Sequence, residues 1–158
     1  MEVELVVEIP AGSRNKYEFE HETGTLWLDR RLYTAARCPA DYGYVESTKG
    51  DDGDALDGLV ILDEPAVPGC HVWVRTLGIL WIDFSGRREG KVLTVPVWDQ
   101  DRDWASIGQV PDAQRREIAQ FFEVYKEISA SQTPRILGWE DAEAADAEIL
   151  RCRQRLAS

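Results

Sequence analysis

Up to about residue 110, apolar positions fall in short β-branched and aromatic runs separated by Gly, Pro and Asp. This pattern predicts strands over Val3–Ile9, Tyr17–Glu20, Thr25–Leu28, Leu59–Leu62, His71–Ile82 and Val92–Val95. Turn signals separate them at Glu22-Thr23-Gly24, the Asp/Gly stretch 50–54, Pro68-Gly69 and Ser85-Gly86. Gly78 lies inside the longest run and marks a bend or bulge. Several short strands at this spacing suggest a small barrel. Beyond residue 110 the period changes. Ile118, Phe121, Phe122, Tyr125 and Ile128 recur at three- and four-residue steps, one face of a helix starting near Asp112. A second helix is predicted over about 140–157, with Ala142, Ala145, Ile149, Cys152 and Leu156 on one side. Its acids come early (Glu140, Asp141, Glu143) and its arginines late (Arg151, Arg153, Arg155), as the helix dipole favours. With no repeat, low-complexity tract or linker, residues 1–158 read as one α+β domain, a β barrel with helices packed outside it.

Composition narrows the function classes. The chain has 158 residues, enough for a real core without disulfides, and a net charge of −11 from 18 Lys+Arg and 29 Asp+Glu. A surface this acidic repels a phosphate backbone, which argues against nucleic-acid binding unless divalent cations intervene. Cys38, Cys70 and Cys152 form no Cys-x-x-Cys pair and no even framework. They fit a reducing cytoplasm. The amino terminus carries Glu2, Glu4 and Glu8 where a signal peptide would carry bases, and no apolar run approaches the roughly 18 residues of a membrane span. A soluble, cytoplasmic protein is expected.

The most informative segment is Asp51-Asp52-Gly53-Asp54-Ala55-Leu56-Asp57. Four aspartates within seven residues repel one another and call for cations; their hard oxygens suit Mg²⁺ or Mn²⁺. A solvated acidic turn is the plain alternative. An EF-hand is excluded, because in the register from Asp52 its fifth and sixth positions fall on Leu56 and Asp57. The remaining pattern, Asp52-x-Asp54-x-x-Asp57, leads directly into the apolar run Leu59–Leu62.

Here the sequence resembles the family I soluble inorganic pyrophosphatases, whose signature is Asp-x-Asp-Pro-apolar-Asp-apolar. Ala55 stands for the Pro and Gly58 for the last apolar residue. Further motifs follow in the family's order: Glu8-Ile9-Pro10, Lys16-Tyr17-Glu18, Asp29-Arg30, Pro39-Ala40-Asp41-Tyr42-Gly43-Tyr44, Phe121–Lys126 and Gly138-Trp139-Glu140. The resemblance runs from about Val7 to Glu148. It implies a five-stranded, OB-like closed β barrel with two flanking C-terminal α helices. It also implies Mg²⁺-dependent hydrolysis of pyrophosphate to two phosphates by metal-activated water, Mn²⁺ or another divalent ion being an alternative cofactor. In this likeness Asp52 and Asp57 are metal ligands, Asp54 takes the proton of the attacking water, and Tyr42 hydrogen-bonds within the metal site. Glu8 and Glu18 hold a further ion, partly through its waters. Lys16, Arg30, Lys91, Tyr125 and Lys126 match phosphate-binding positions. Tyr125, taken alone, would read as core on its helix face. The family forms homo-oligomers, commonly hexamers in bacteria.

The sequence departs from the family after its long strand, where Met-x-Asp, an acidic loop and Asp-x-Lys are usual. Counting back from Lys91 puts Glu89 at the second aspartate and Phe84 at the first, with Asp83 one residue early. Glu89 keeps a carboxylate on a longer arm. A one-residue strand offset reverses a side chain's face, so either a bulge restores Asp83 or one metal loses a ligand. Arg87 and Arg88 bring positive charge where the family tends to be acidic. Cys38 replaces a usual Tyr and reads as a small buried residue. Ser129–Gln132 carry no charge. Asp99, Asp101 and Asp103 read as a solvated acidic loop, His21 and His71 lack ligand spacing, and the six tryptophans read as core and subunit contacts. Two alternatives stay open: a relative that binds metal-pyrophosphate without hydrolysing it, and a hydrolase of larger phosphoanhydrides.

Overall fold

The computed structural model describes residues 1–20, 22–125 and 134–158. Among these residues eight strands and two α helices follow in this order: β1 Glu2–Ile9, β2 Asn15–Glu20, β3 Thr25–Arg31, β4 Asp41–Val45, β5 Asp57–Val60, β6 His71–Phe84, β7 Arg87–Pro96, α1 Asp112–Val124, β8 Arg135–Asp141 and α2 Ala142–Leu156. Strands β1, β4, β5, β7 and β6 hydrogen-bond in that order, and β6 returns to β1, closing a five-stranded ring. Strand β8 adds a sixth member on the outer half of β6, and β2–β3 form a separate hairpin. One long strand serves two neighbours because β6 pairs with β1 through residues 71–75 and with β8 through residues 78–83. The β6–β7 register slips by one between Thr76 and Gly78, which leaves Leu77 as the extra residue beside the glycine that predicted a bulge.

The apolar pattern explains the packing. Val3, Leu5 and Val7 of β1 point into a core completed by Ala145, Ile149 and Cys152 of α2. A second core holds Leu59, Leu80 and Leu93 against Ile118, Phe121 and Phe122 of α1. Phe122 is fully buried, and burying one such side chain contributes about 2–3 kcal/mol. The Asp141 side chain accepts from the Ala142 N–H at 3.0 Å and so caps α2, with Arg153 and Arg155 in its last turn.

Several expectations are corrected. Strands β4 and β8 were not anticipated; both are short and carry Gly43 and Gly138, which weaken a strand pattern. Gly43 is required by close approach: a Cβ there would lie 1.8 Å from the Val6 carbonyl oxygen. Leu156, on the apolar side of α2, is the last residue of the helix and is exposed there. Asp99 is not a solvated acid. It is buried, accepts from the Asp101 and Arg102 N–H groups, and pairs with the Arg102 guanidinium at 2.7 Å. Cys38 is buried as expected, its thiol 3.0 Å from the Ala40 carbonyl and pushed by burial up to about 12.

Candidate active site

Three backbone devices aim polar side chains at one rim of the barrel. Across β1–β4, Val7 pairs with Gly43 and Ile9 with Tyr42, so Glu8 is the unpaired residue of a bulge that redirects its side chain. In the β2–β3 hairpin the register slips beyond the pair Lys16–Arg30, which leaves these two cations side by side. The β6–β7 turn is the two-residue Ser85-Gly86, with φ of 60° and 85°. Such a turn suits a tight hairpin. It fixes Phe84 opposite Arg87 and Ile82 opposite Glu89, so Arg87, Glu89 and Lys91 share one face.

The acidic loop is ordered by its own backbone. The Gly50 N–H donates to the Asp54 carbonyl at 2.6 Å, and the Asp54 N–H donates to the Asp52 carboxylate at 3.1 Å. Asp57 then opens β5. Of the four aspartates, Asp51 leaves the group and pairs with Arg155 at 2.7 Å. The other three face a cavity of about 450 Å³ lined also by Lys16, Arg30, Tyr33, Tyr42, Arg87, Glu89 and Tyr125. A neighbouring cavity of about 360 Å³ holds Glu8, Glu18 and Tyr44 and shares Lys16, Asp54 and Asp57 with the first. Thus ten residues anticipated from sequence gather around two adjoining cavities.

Charge inside the site alternates. The Lys91 ammonium is buried between Asp57, in a short ion pair, and Glu89 at 3.3 Å. Burial would lower its pKa, but the facing charges, Asp57 foremost, outweigh this and raise it above the usual lysine value. Arg87 Nη2 lies 2.9 Å from Glu89 and 4.0 Å from Asp52. Lys16 pairs with Glu18 at 3.0 Å, and Arg30 with Asp29 at 3.7 Å. The Tyr42 hydroxyl hydrogen-bonds to Asp57; burial, with Asp57 second, holds it well above the ordinary phenol range and keeps it a donor. Burial raises the Glu8 carboxyl to about 7, with Asp57, Glu18 and Asp29 acting in the same direction and Lys16 opposing.

Two anticipated residues, Asp83 and Lys91, stand outside the cavity lining. Asp83 faces away from the cavity: its carboxylate accepts from the Gly86 N–H at 2.8 Å and pairs with Arg135 at 3.1 Å. The β6–β7 register runs without interruption from Gly78 to Phe84, so no bulge restores it, and Phe84 takes the site-facing parity. Lys91 is beneath the cavity rather than on its wall, a support for Asp57 and Glu89. Lys126, with Ile128, Ser129–Gln132 and His21, lies outside the described residues. Sequence reasoning missed Tyr33 and left Arg87 unassigned; the i, i+2, i+4 spacing of Arg87, Glu89 and Lys91 was the available signal.

Among the described residues no three carboxylates converge as a ready chelate. The donor set nevertheless suits Mg²⁺, which keeps several waters and takes one or two carboxylates together with substrate phosphate oxygens. Asp52, Asp54, Asp57 and Glu89 line the same cavity as Lys16 and Arg30, so cations and an anion can be held in one volume.

The family model described as Inorganic pyrophosphatase matches residues 5–157. The chain is 45% identical over 156 residues to the inorganic pyrophosphatase of Streptomyces coelicolor, covering 98% of this chain and 96% of that protein. It is also 45% identical over 154 residues to that of Geobacillus stearothermophilus, covering 97% and 93%. Among solved structures, the inorganic pyrophosphatase from Thermus thermophilus superposes with a TM-score of 0.92 at 40% identity, covering 99% of this chain and 92% of that one. That from Coxiella burnetii gives 0.91 at 36%, covering 98% and 95%.

Proposed function

The chain belongs to the inorganic pyrophosphatase family, and from that premise we propose that it hydrolyses inorganic pyrophosphate to two phosphates with Mg²⁺ as cofactor, residues 1–158 acting as one catalytic domain. The observation that carries this is the meeting of Asp52, Asp54, Asp57 and Glu89 with Lys16, Arg30 and Tyr125 in a single cavity of about 450 Å³. Pyrophosphate is a compact polyanion and water a poor nucleophile, so cleavage needs charge neutralisation, an activated water and a stabilised leaving phosphate. Divalent ions, when bound, polarise the phosphoryl oxygens and lower the pKa of the attacking water.

The chain's own residues divide the remaining work. Asp52, Asp57 and Glu89 supply hard oxygen ligands, with Glu8 and Glu18 serving a further ion in the adjoining cavity. Asp54 stands on the wall common to both cavities, where it accepts the water's proton. Tyr42 and Lys91 orient Asp57 by hydrogen bond and ion pair. Lys16, Arg30 and the Tyr125 hydroxyl grip phosphate, Lys126 joining them beyond the described residues. The protein works in the cytoplasm as a homo-oligomer, a hexamer by family resemblance; among the described residues no helix is long and apolar enough to cross a membrane.

The test is phosphate release from pyrophosphate with Mg²⁺, Mn²⁺, Zn²⁺ or Co²⁺, against ATP as the larger anhydride. Release from pyrophosphate that Asp54→Asn and Asp57→Asn each cut by at least about 100-fold is expected, the scale of losing a general base. No release with any metal removes the assignment. The placement of Asp83 on Arg135, outside the cavity, favours one second reading, a relative that binds metal-pyrophosphate without turnover; tight calorimetric binding without phosphate release would select it.

A further inference from the structure

Five side chains form an alternating row of charge, four on the cavity wall and the Lys91 ammonium beneath it: Asp52, Arg87, Glu89, Lys91 and Asp57. One nitrogen of Arg87 lies 2.9 Å from Glu89 and 4.0 Å from Asp52, while the other oxygen of Glu89 faces Lys91 at 3.3 Å. The two acids come from different elements, the loop before β5 and strand β7. Arg87 therefore bridges parts of the site that like charge would drive apart. Its placement follows from the two-residue turn at Ser85-Gly86, which sends Arg87 to the same face as Glu89 while Arg88 goes to the other, over the Trp81 ring at 3.8 Å.

A guanidinium holds its charge at any physiological pH and offers donors in a planar fork suited to carboxylates. It is a cation the protein cannot lose. We propose that Arg87 is a built-in counter-ion standing in for one divalent cation between Asp52 and Glu89, so that the protein takes up one metal ion fewer before substrate arrives. This deepens the proposed function and rests on Asp52 and Glu89 being metal-facing in that reading. With half its side chain exposed, Arg87 belongs to the wall of the cavity and not to the core, so its replacement leaves the fold intact.

The experiment counts Mn²⁺ ions bound per protomer, without pyrophosphate, by the paramagnetic resonance signal of free Mn²⁺ and by calorimetry. Arg87→Gln is expected to bind one more Mn²⁺ than the wild type, and Arg87→Lys, which keeps the charge, the same number as the wild type. Arg87→Met, checked by circular dichroism, provides a second neutral variant. An equal count in wild type, Arg87→Gln and Arg87→Met overturns the proposal, whatever the affinities. So does an extra ion in Arg87→Lys, since space and not charge would then be limiting. Phosphate release is measured separately on the wild type: an inactive protein whose neutral variants still gain an ion loses the pyrophosphatase reading but keeps this one.

Discussion

Lys91 shows how far a residue's role depends on which way it is buried. Its side chain is 2% exposed and its ammonium is held by Asp57 and Glu89. Replacing it by Met takes the cation from between Asp57 and Glu89, leaving Glu89 only its Arg87 pair, and breaking a buried pair from one side costs on the order of 3 kcal/mol. Lys91→Met is therefore expected to melt well below the wild type in EDTA and to recover most of the difference in millimolar Mg²⁺, because a bound ion replaces the missing charge. Equal loss with and without Mg²⁺ would show a packing role instead. Glu8 makes the complementary case. Its folded-state pKa of about 7 exceeds the ordinary 4.5, so the fold favours the protonated form. The resulting stability, about 3 kcal/mol by linkage, is complete below pH 4.5 and is lost as pH rises through 7. Metal-free protein should thus lose stability toward urea between about pH 4.5 and 7, and Glu8→Gln should flatten that slope. Because a cation favours the carboxylate, Mg²⁺ affinity should rise over the same interval. Identical pH slopes in both proteins would assign the effect elsewhere.

At the scale of elements, the β6–β7 hairpin carries the main lesson. Its turn was visible in Ser85-Gly86, and the turn alone sets the parity of every residue after it. Applied strictly, that parity already puts Arg87, Glu89 and Lys91 together and Asp83 with Arg88 on the far face. The alternative of a restoring bulge stayed open because bulges leave no sequence signature of their own here; the one at Gly78 was signalled by its glycine, whereas the one at Glu8 was not. The Asp52–Asp57 spacing identified the acid loop, yet nothing in four adjacent aspartates reveals that Asp51 turns to Arg155 on a helix a hundred residues away. Likewise the pairing of Lys16 with Arg30 depends on a tertiary register that strand propensity does not encode. Since Asp83 serves the hairpin and not the cavity, Asp83→Asn should leave phosphate release within about twofold of wild type across a Mg²⁺ titration, and should cost at most about 1 kcal/mol for an exposed pair. A shift in the Mg²⁺ requirement would return Asp83 to the metal site.

The whole molecule combines a net charge of −11 with several exposed tryptophans. Trp73 and Trp98 are 63% and 70% exposed and line an apolar groove of about 560 Å³ with Leu62 and Val72; Trp27 is 59% exposed on the β2–β3 hairpin. Large contiguous apolar patches are uncommon on soluble monomers. Trp81 is buried, as expected of a core tryptophan, and these three stand at the surface. Assembly of such chains sets two forces against each other: burial of apolar surface draws copies together, while eleven negative charges on each drive them apart. Salt separates the two, because the Debye length falls from roughly 20–30 Å at 0.01–0.02 M to about 4 Å near 0.5 M, and apolar burial does not weaken with it. Sedimentation velocity should therefore show species heavier than the 17.9 kDa chain, with the heavier fraction growing as salt rises from 20 mM to 0.5 M. An assembly held by ion pairs would dissociate over that range. Trp98→Glu, which adds charge where apolar cover is expected, should move the distribution toward the monomer and leave the wild-type salt trend reduced.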